Sequence, residues 1–258
     1  MLVGNYSEIK DFLNEKAEKY NHPYFIETDP VQIPHQFTDV YDIEIAAFFA
    51  AAIAWGQRPV IIKNAQKLMA LMDYAPFEFI MGYSEKDLTR FHYFKHRTFQ
   101  GEDCIYFIRS LRNIYSKYTS VGSLFESLYE KKKEIFQALA DFREVFFELE
   151  HSPRTEKHIS NVLKGASAKR LNMFLRWMVR KDNKGVDFGL WKSIPASALY
   201  LPLDVHTGNV ARKLGLLQRK QNDWKAVEEI TSVLRNFDPK DPVKFDYALF
   251  GLGIFEKF

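Results

Sequence analysis

The chain has 258 residues, of which 47% are hydrophobic and 27% charged, with a net charge of +3. That composition excludes a disordered polymer and supplies ample apolar material for a core, while the mild positive charge permits a polyanionic partner without requiring one. One cysteine, Cys104, excludes an internal disulfide and a cysteine-ligated zinc or iron–sulfur site.

The pattern is helical nearly throughout, so the expected class is all-α. Ser7–Tyr20 places Ile9, Phe12, Leu13 and Ala17 at helical spacing, with Ser7 as a plausible N-cap. His22–Phe37 contains three prolines and reads as an extended connection. Asp39–Trp55 reads as a helix stopped by Gly56, and Arg58-Pro59 opens another that runs to about Met72. Asp73–Gly101 is rich in turns and is the expected place for a cleft between two helical lobes. Glu102–Lys117 and Val121–Glu150 read as helices, the second broken near Lys131–Lys133. A short helix is expected from His151–Pro153 to Leu163, then a long one over Ala168–Arg180. Lys181–Tyr200 reads as a loop, and Val205–Leu214, Asp223–Asn236 and Asp241–Leu249 complete the helices. No repeat or low-complexity tract is present, so residues 1–258 read as a single helical domain with two lobes.

Met1–Lys10 lacks the basic and apolar sequence of a leader, and the apolar run Ile45–Trp55 is too short to span a bilayer. With one cysteine, this points to a soluble, cytoplasmic protein with no membrane partner. Aromatic residues make up 16%; most of them belong to a core, and some could serve as stacking platforms for bases.

Two segments could carry chemistry. Lys169 follows the turn Leu163-Lys164-Gly165-Ala166-Ser167-Ala168 and opens a helix, where the positive helix end disfavours a cation. Asp204 follows Pro202 and precedes a helix at Val205, a preferred N-cap position that keeps a carboxylate ionised and in place. An amine and a carboxylate fixed at two helix starts can together open a sugar at its anomeric carbon. Capping alone, and a surface lysine near a turn, are the plain alternatives. A helix–Gly–helix turn also presents backbone N–H groups that can hold a phosphate. Lys164, Lys169, Arg170, Arg176, Arg180, Lys181 and Lys184 cluster around this region, as a solvated face or a phosphate-binding surface. His92 and His96 are spaced to face one way on a helix but lack the zincin pattern.

These segments resemble the helix-hairpin-helix DNA glycosylase superfamily of base-excision repair. Its hairpin reads Leu-Pro-Gly-Val-Gly-x-Lys; Leu163, Gly165 and Lys169 fall on its Leu, first Gly and Lys, while Lys164 stands at the Pro and Ser167 at the second Gly. Its Pro-Val-Asp-x-His stretch resembles Pro202-Leu203-Asp204-Val205-His206, and Arg212–Leu216 resembles the end of the helix that follows. Lys169 and Asp204 lie 35 residues apart because of the loop Lys181–Tyr200. Archaeal 8-oxoguanine glycosylases are similar in having a lengthened connection there. Taken whole, the chain also resembles a family of uncharacterised bacterial proteins, through Asp42–Ala46, Lys169–Arg180, Asp187–Trp191, Pro202–His206 and Asp241–Gly251.

The glycosylase resemblance covers about residues 150–255. It implies Lys169 as a Schiff-base nucleophile and Asp204 as the catalytic aspartate of a glycosylase and abasic-site lyase. Gly165, Ser167, Arg170, Arg176, Arg180 and His206 would contact DNA, and Trp55, Gln57, Phe245, Asp246 and Phe250 would form a pocket for a flipped base. Asp187 and Trp191 on the loop could line the same site. The partner would be damaged double-stranded DNA, bound by a monomer in the nucleoid without metal or other cofactor, and the first lesion expected is 8-oxoguanine. The rival reading is a non-catalytic DNA- or RNA-binding helical protein that keeps the hairpin and not the chemistry.

Overall fold

The computed structural model describes residues 6–258, so the reading of Met1–Lys10 as free of a leader rests partly on residues outside that range. Among the described residues the protein is all-α: twelve α-helices joined by 3-10 turns, with one two-stranded ladder. None of these helices is long and apolar enough to cross a membrane. Two compact units divide the chain, one contiguous (Ile26–Ser160) and one built from both ends, the chain up to Phe25 with Asn161–Phe258. The turn-rich stretch 73–101, expected to mark a cleft between lobes, lies inside the contiguous unit.

Helix α1 (Tyr6–Tyr20) takes in Ser7, and α2 (Tyr24–Thr28) carries the chain towards the contiguous unit. That unit contains α3 (Val40–Ala52), α4 (Arg58–Leu71), α5 (Pro76–Gly82), α6 (Gly101–Tyr118), α7 (Val121–Lys132) and α8 (Ile135–Phe146). Asp39 starts α3 by accepting from the N–H groups of Tyr41 and Asp42 at 2.9 and 3.3 Å. Residues Ile43–Ala52 are then buried on every side, the mark of a central helix. Phe48 packs on Phe107 of α6 and Phe146 of α8 at 5.7 and 5.5 Å, and Phe125 of α7 stacks on Phe142 of α8 at 4.3 Å. Lys133 ends α7 in the left-handed conformation, which explains the break expected there.

Prolines account for most differences from the sequence reading. Pro30 and Pro34 open 3-10 turns where an extended connection was expected, Pro76 opens α5, and Pro153 opens a 3-10 turn over Pro153–His158. Each occupies a first-turn position, where the missing N–H costs nothing and the fixed φ suits a helix. The α-helix expected before Leu163 is therefore two 3-10 turns, Pro153–His158 and Val162–Lys164. Between α5 and α6, β1 (Lys95–His96) pairs antiparallel with β2 (Phe99–Gln100).

The other unit packs α1 with α9 (Lys169–Val179), α10 (Val205–Lys213), α11 (Trp224–Phe237) and α12 (Phe245–Phe255). The long loop after α9 folds back on its C-terminus: Phe188 N–H donates to Trp177 O at 2.8 Å and Trp191 N–H to Met178 O at 3.0 Å. These bonds satisfy carbonyls that a helix end leaves open. Helices α1 and α12 meet at Gly251, where a Cβ would lie 2.1 Å from Cδ2 of the Tyr20 ring. Alanine gains about 1 kcal/mol of helix propensity over glycine, but the ring clash dominates. Gly251→Ala is expected to lose a net 1–3 kcal/mol or so in urea unfolding, and an unchanged midpoint would refute that packing.

Candidate functional site

Lys169 Nζ lies 3.8 Å from Asp204 Oδ2, and the two side chains are 24% and 22% exposed. Two different helix starts bring them together. Lys169 is the first residue of α9, and Asp204 is the N-cap of α10. The aspartate's oxygens divide their work. Oδ1 accepts from His206 N–H at 2.8 Å and Thr207 N–H at 3.0 Å, while Oδ2 faces the amine. Asp204 N–H donates to Thr207 Oγ1 at 2.9 Å, closing a capping box. The cap therefore fixes the carboxylate through Oδ1 and leaves Oδ2 turned towards the amine.

The turn before Lys169 is built without the second glycine of the hairpin pattern. Gly165 is left-handed (φ 81°), and so is Ala168 (φ 49°), whereas Ser167 has no positive φ and needs no glycine. An alanine in that region stores strain of order 1 kcal/mol, immediately before the lysine. The turn is pinned elsewhere: Trp224 N–H donates to Gly165 O at 2.9 Å, and Asn172 Nδ2 donates to Ser167 O at 3.1 Å. Asn172 is 1% exposed and its Oδ1 has no hydrogen-bond partner among the described residues, one turn from Lys169. Arg170 is half-buried, and burial pulls its guanidinium down to about 10. Of the other residues expected at DNA, Ser167 is half-buried and His206 is exposed.

Asn222 supports the pair from a distance in sequence. Its Nδ2 donates to Asp204 O at 3.1 Å, and its Oδ1 accepts from Arg212 Nη2 at 2.6 Å. Gly208 admits this contact, since a Cβ there would lie 2.8 Å from Asn222 Oδ1. A glycine inside a short helix was the available signal for such a close approach; nothing local marks Asn222 itself.

Arg176 and Arg180 are a correction. Each is 3% exposed and taken up by protein carboxylates, so neither faces phosphate. Arg176 pairs with Asp246 and Asp187; Arg180 reaches Asp187 at 3.0 Å, Asp241 at 2.9 Å and Asp182 at 2.7 Å. Both guanidiniums lie over the Tyr247 ring, at 4.4 and 5.5 Å from its centre. Buried charges persist only when paired in this way. Asp246 is pushed up to about 6, by burial first; Arg176 opposes that, the Asp204 charge adds to it and Lys169 opposes it. It is thus an electrostatic neighbour of both site residues, although its own carboxylate is engaged by Arg176.

The remaining pocket residues belong to both units. Phe245 is fully buried edge-on against Phe237 at 6.0 Å, so it is core and not a base platform. Phe250 is half-buried against Phe25 at 6.0 Å. Trp191, 3% exposed, packs on Phe174 at 5.3 Å, and Asp187 serves the two arginines, so neither lines an open site. Trp55 and Gln57 belong to the contiguous unit. Trp55 stacks on His158 at 5.8 Å and meets His96 edge-on at 5.0 Å, while Gln57 is exposed before α4. His92 is exposed and His96 buried against Asn64 and Trp55 O, so the two histidines do not face one way.

Fold and site together define an all-α protein with an amine–carboxylate pair seated on two helix starts. The chain belongs to the family described as protein of unknown function (DUF2400), matched over residues 29–255, a span that includes Lys169, Asp204 and Asp246. No curated protein and no solved structure matches the chain.

Proposed function

We propose that this protein is a DNA repair glycosylase with abasic-site lyase activity, acting on a damaged, first of all an oxidised, base. One observation carries the reading: the Lys169 amine and the free oxygen of Asp204 stand 3.8 Å apart at a partly open place in the fold. A deoxyribose seated against both groups, beside the pair, would have its anomeric carbon within reach of the amine and its developing positive charge near the carboxylate. The amine nitrogen bonds to C1′, the glycosidic bond breaks, and the base leaves with the electron pair and the proton that Asp204 has taken from the amine. Asp204 stabilises the sugar cation and accepts a proton from the amine. Ring opening, with a proton passing from nitrogen to O4′, gives an imine at C1′; Asp204 then takes a C2′ proton, and the C3′–O bond breaks with its electron pair leaving on the 3′ phosphate. The first turn of α9 has no side-chain cap, which leaves backbone N–H groups for a DNA phosphate. This reading takes the chain as a monomer on duplex DNA, within the nucleoid, with no cofactor.

Borohydride trapping tests it. Abasic-site duplex and duplexes carrying 8-oxoguanine or oxidised pyrimidines are incubated with the protein and reductant. A covalent adduct is expected with wild type and none with Lys169→Ala. Failure to trap any of these substrates removes the lyase claim, and salt-sensitive binding indifferent to lesions and to Asp204→Asn would identify a DNA-binding protein without catalysis.

A further inference from the structure

A second surface, in the contiguous unit, has the chemistry of a polyanion-binding ridge. The sequence has 33 acidic residues, yet none falls in 45–72 or 88–101, which carry Arg58, Lys63, Lys67, Arg90, Lys95 and Arg97. The fold lays these two acid-free stretches against each other. His96 of β1 bonds Asn64 of α4 at 2.9 Å and the carbonyl of Trp55 at 3.1 Å. Lys67 of α4 lies over the Phe94 ring at 6.0 Å. Arg97 reaches the backbone before α4, where a Cβ on Gly56 would lie 2.9 Å from its Nη1.

Lys63, Lys67, Lys95 and Arg97 are all exposed, and none has a carboxylate partner among the described residues. Arg90 is different, since Asp73 and Asp87 neutralise it. Beside these cations stands Tyr93, 93% exposed between the buried rings of Phe91 and Phe94. Unpaired cations on a rigid scaffold sum to a positive potential that draws a polyanion. An open ring among them can stack on a base, the combination that nucleic-acid surfaces use. A membrane fits less well: the apolar neighbours Phe91, Phe94 and Phe99 are inside, leaving a single ring to insert.

We infer that this ridge binds the sugar-phosphate backbone of DNA, with Tyr93 stacking on an unpaired or terminal base. The inference takes its partner from the repair reading but does not use the Lys169 chemistry. The test is fluorescence anisotropy of a labelled abasic-site duplex, in Lys169→Ala protein so that no cleavage occurs, across a salt series. Adding Lys63→Ala, Lys67→Ala and Lys95→Ala is expected to lower the slope of log K against log salt by about 2–3, since each phosphate contact contributes roughly 0.9. Tyr93→Ala is expected to weaken binding severalfold with the slope unchanged. Arg97 is left alone because its left-handed backbone and its seat at Gly56 tie it to the fold. An unchanged slope in the triple variant, with native far-UV circular dichroism, overturns the ridge. So does lost binding to phosphatidylserine vesicles with DNA binding intact, which would assign the surface to a membrane. Trapping of wild-type protein reads Lys169 separately, so it can succeed while the ridge fails.

Discussion

Asp204→Asn is expected to slow strand cleavage by about 10²–10⁴-fold and to leave the folded protein nearly as stable as before. The two readouts separate the cap that this residue forms from the catalytic role proposed for it. Asparagine caps a helix about as well as aspartate, and its Oδ1 can keep the bonds from His206 N–H and Thr207 N–H. What disappears is the charge on the oxygen that faces Lys169 at 3.8 Å. A carboxylate beside a forming sugar cation has no neutral substitute, so the chemical step bears the loss while the thermal midpoint moves little. Cleavage at the wild-type rate would reduce Asp204 to a cap and remove its catalytic role. A large drop in stability would show instead that its charge holds the fold together.

Arg176→Met is expected to lower the free energy of unfolding by about 3–5 kcal/mol near pH 8, because it strands the buried carboxylate of Asp246 and takes one of two arginine partners from Asp187, which keeps Arg180 at 3.0 Å. Asp187 and Asp246 both bond this guanidinium and both are nearly inaccessible. The loss should depend on pH in one direction. The carboxyl of Asp246 stands at about 6 with Arg176 in place, above the 3.8 of a free aspartate, so the fold already disfavours its charged form. Removing the arginine raises it further. As pH falls towards about 6 the variant takes up a proton there before the wild type does, so the deficit shrinks above that value and its Asp246 share is gone below it; at higher pH it is fully present. Urea unfolding of both proteins at pH 8 and pH 5 checks this. Equal deficits at the two pH values would mean that the penalty does not sit on Asp246, and Arg176→Met/Asp246→Asn should recover part of the loss at pH 8.

The helices with strong apolar periodicity were legible in the sequence, and so were the starts that carry the candidate pair. Lys169 opens α9 and Asp204 caps α10, as residue type and local pattern imply. Prolines misled because the same ring that ends one helix begins another, and only the following turn decides which. Arg176 and Arg180 misled for a different reason. Charge is visible in a sequence but its partners are not, and Asp187, Asp241 and Asp246 reach these arginines from a loop and from the far end of the chain. Asn222 escaped notice because it acts on a carbonyl 18 residues away, a contact created by packing alone. The acid-free stretches could be read from letters; that they lie side by side could not.

The unit that carries Lys169 and Asp204 is assembled from both termini, with α1 packed on α12. A ribosome releases residues 26–160 as an uninterrupted block able to collapse early, whereas α1 leaves the tunnel before that block and meets α12 only after it. Until Phe245–Phe255 emerges, the apolar stripe of Leu13 and Ala17 lacks its cover. The amine and the carboxylate are already translated by then, so the closing helix, and neither of the two groups, sets the moment at which the candidate centre becomes complete.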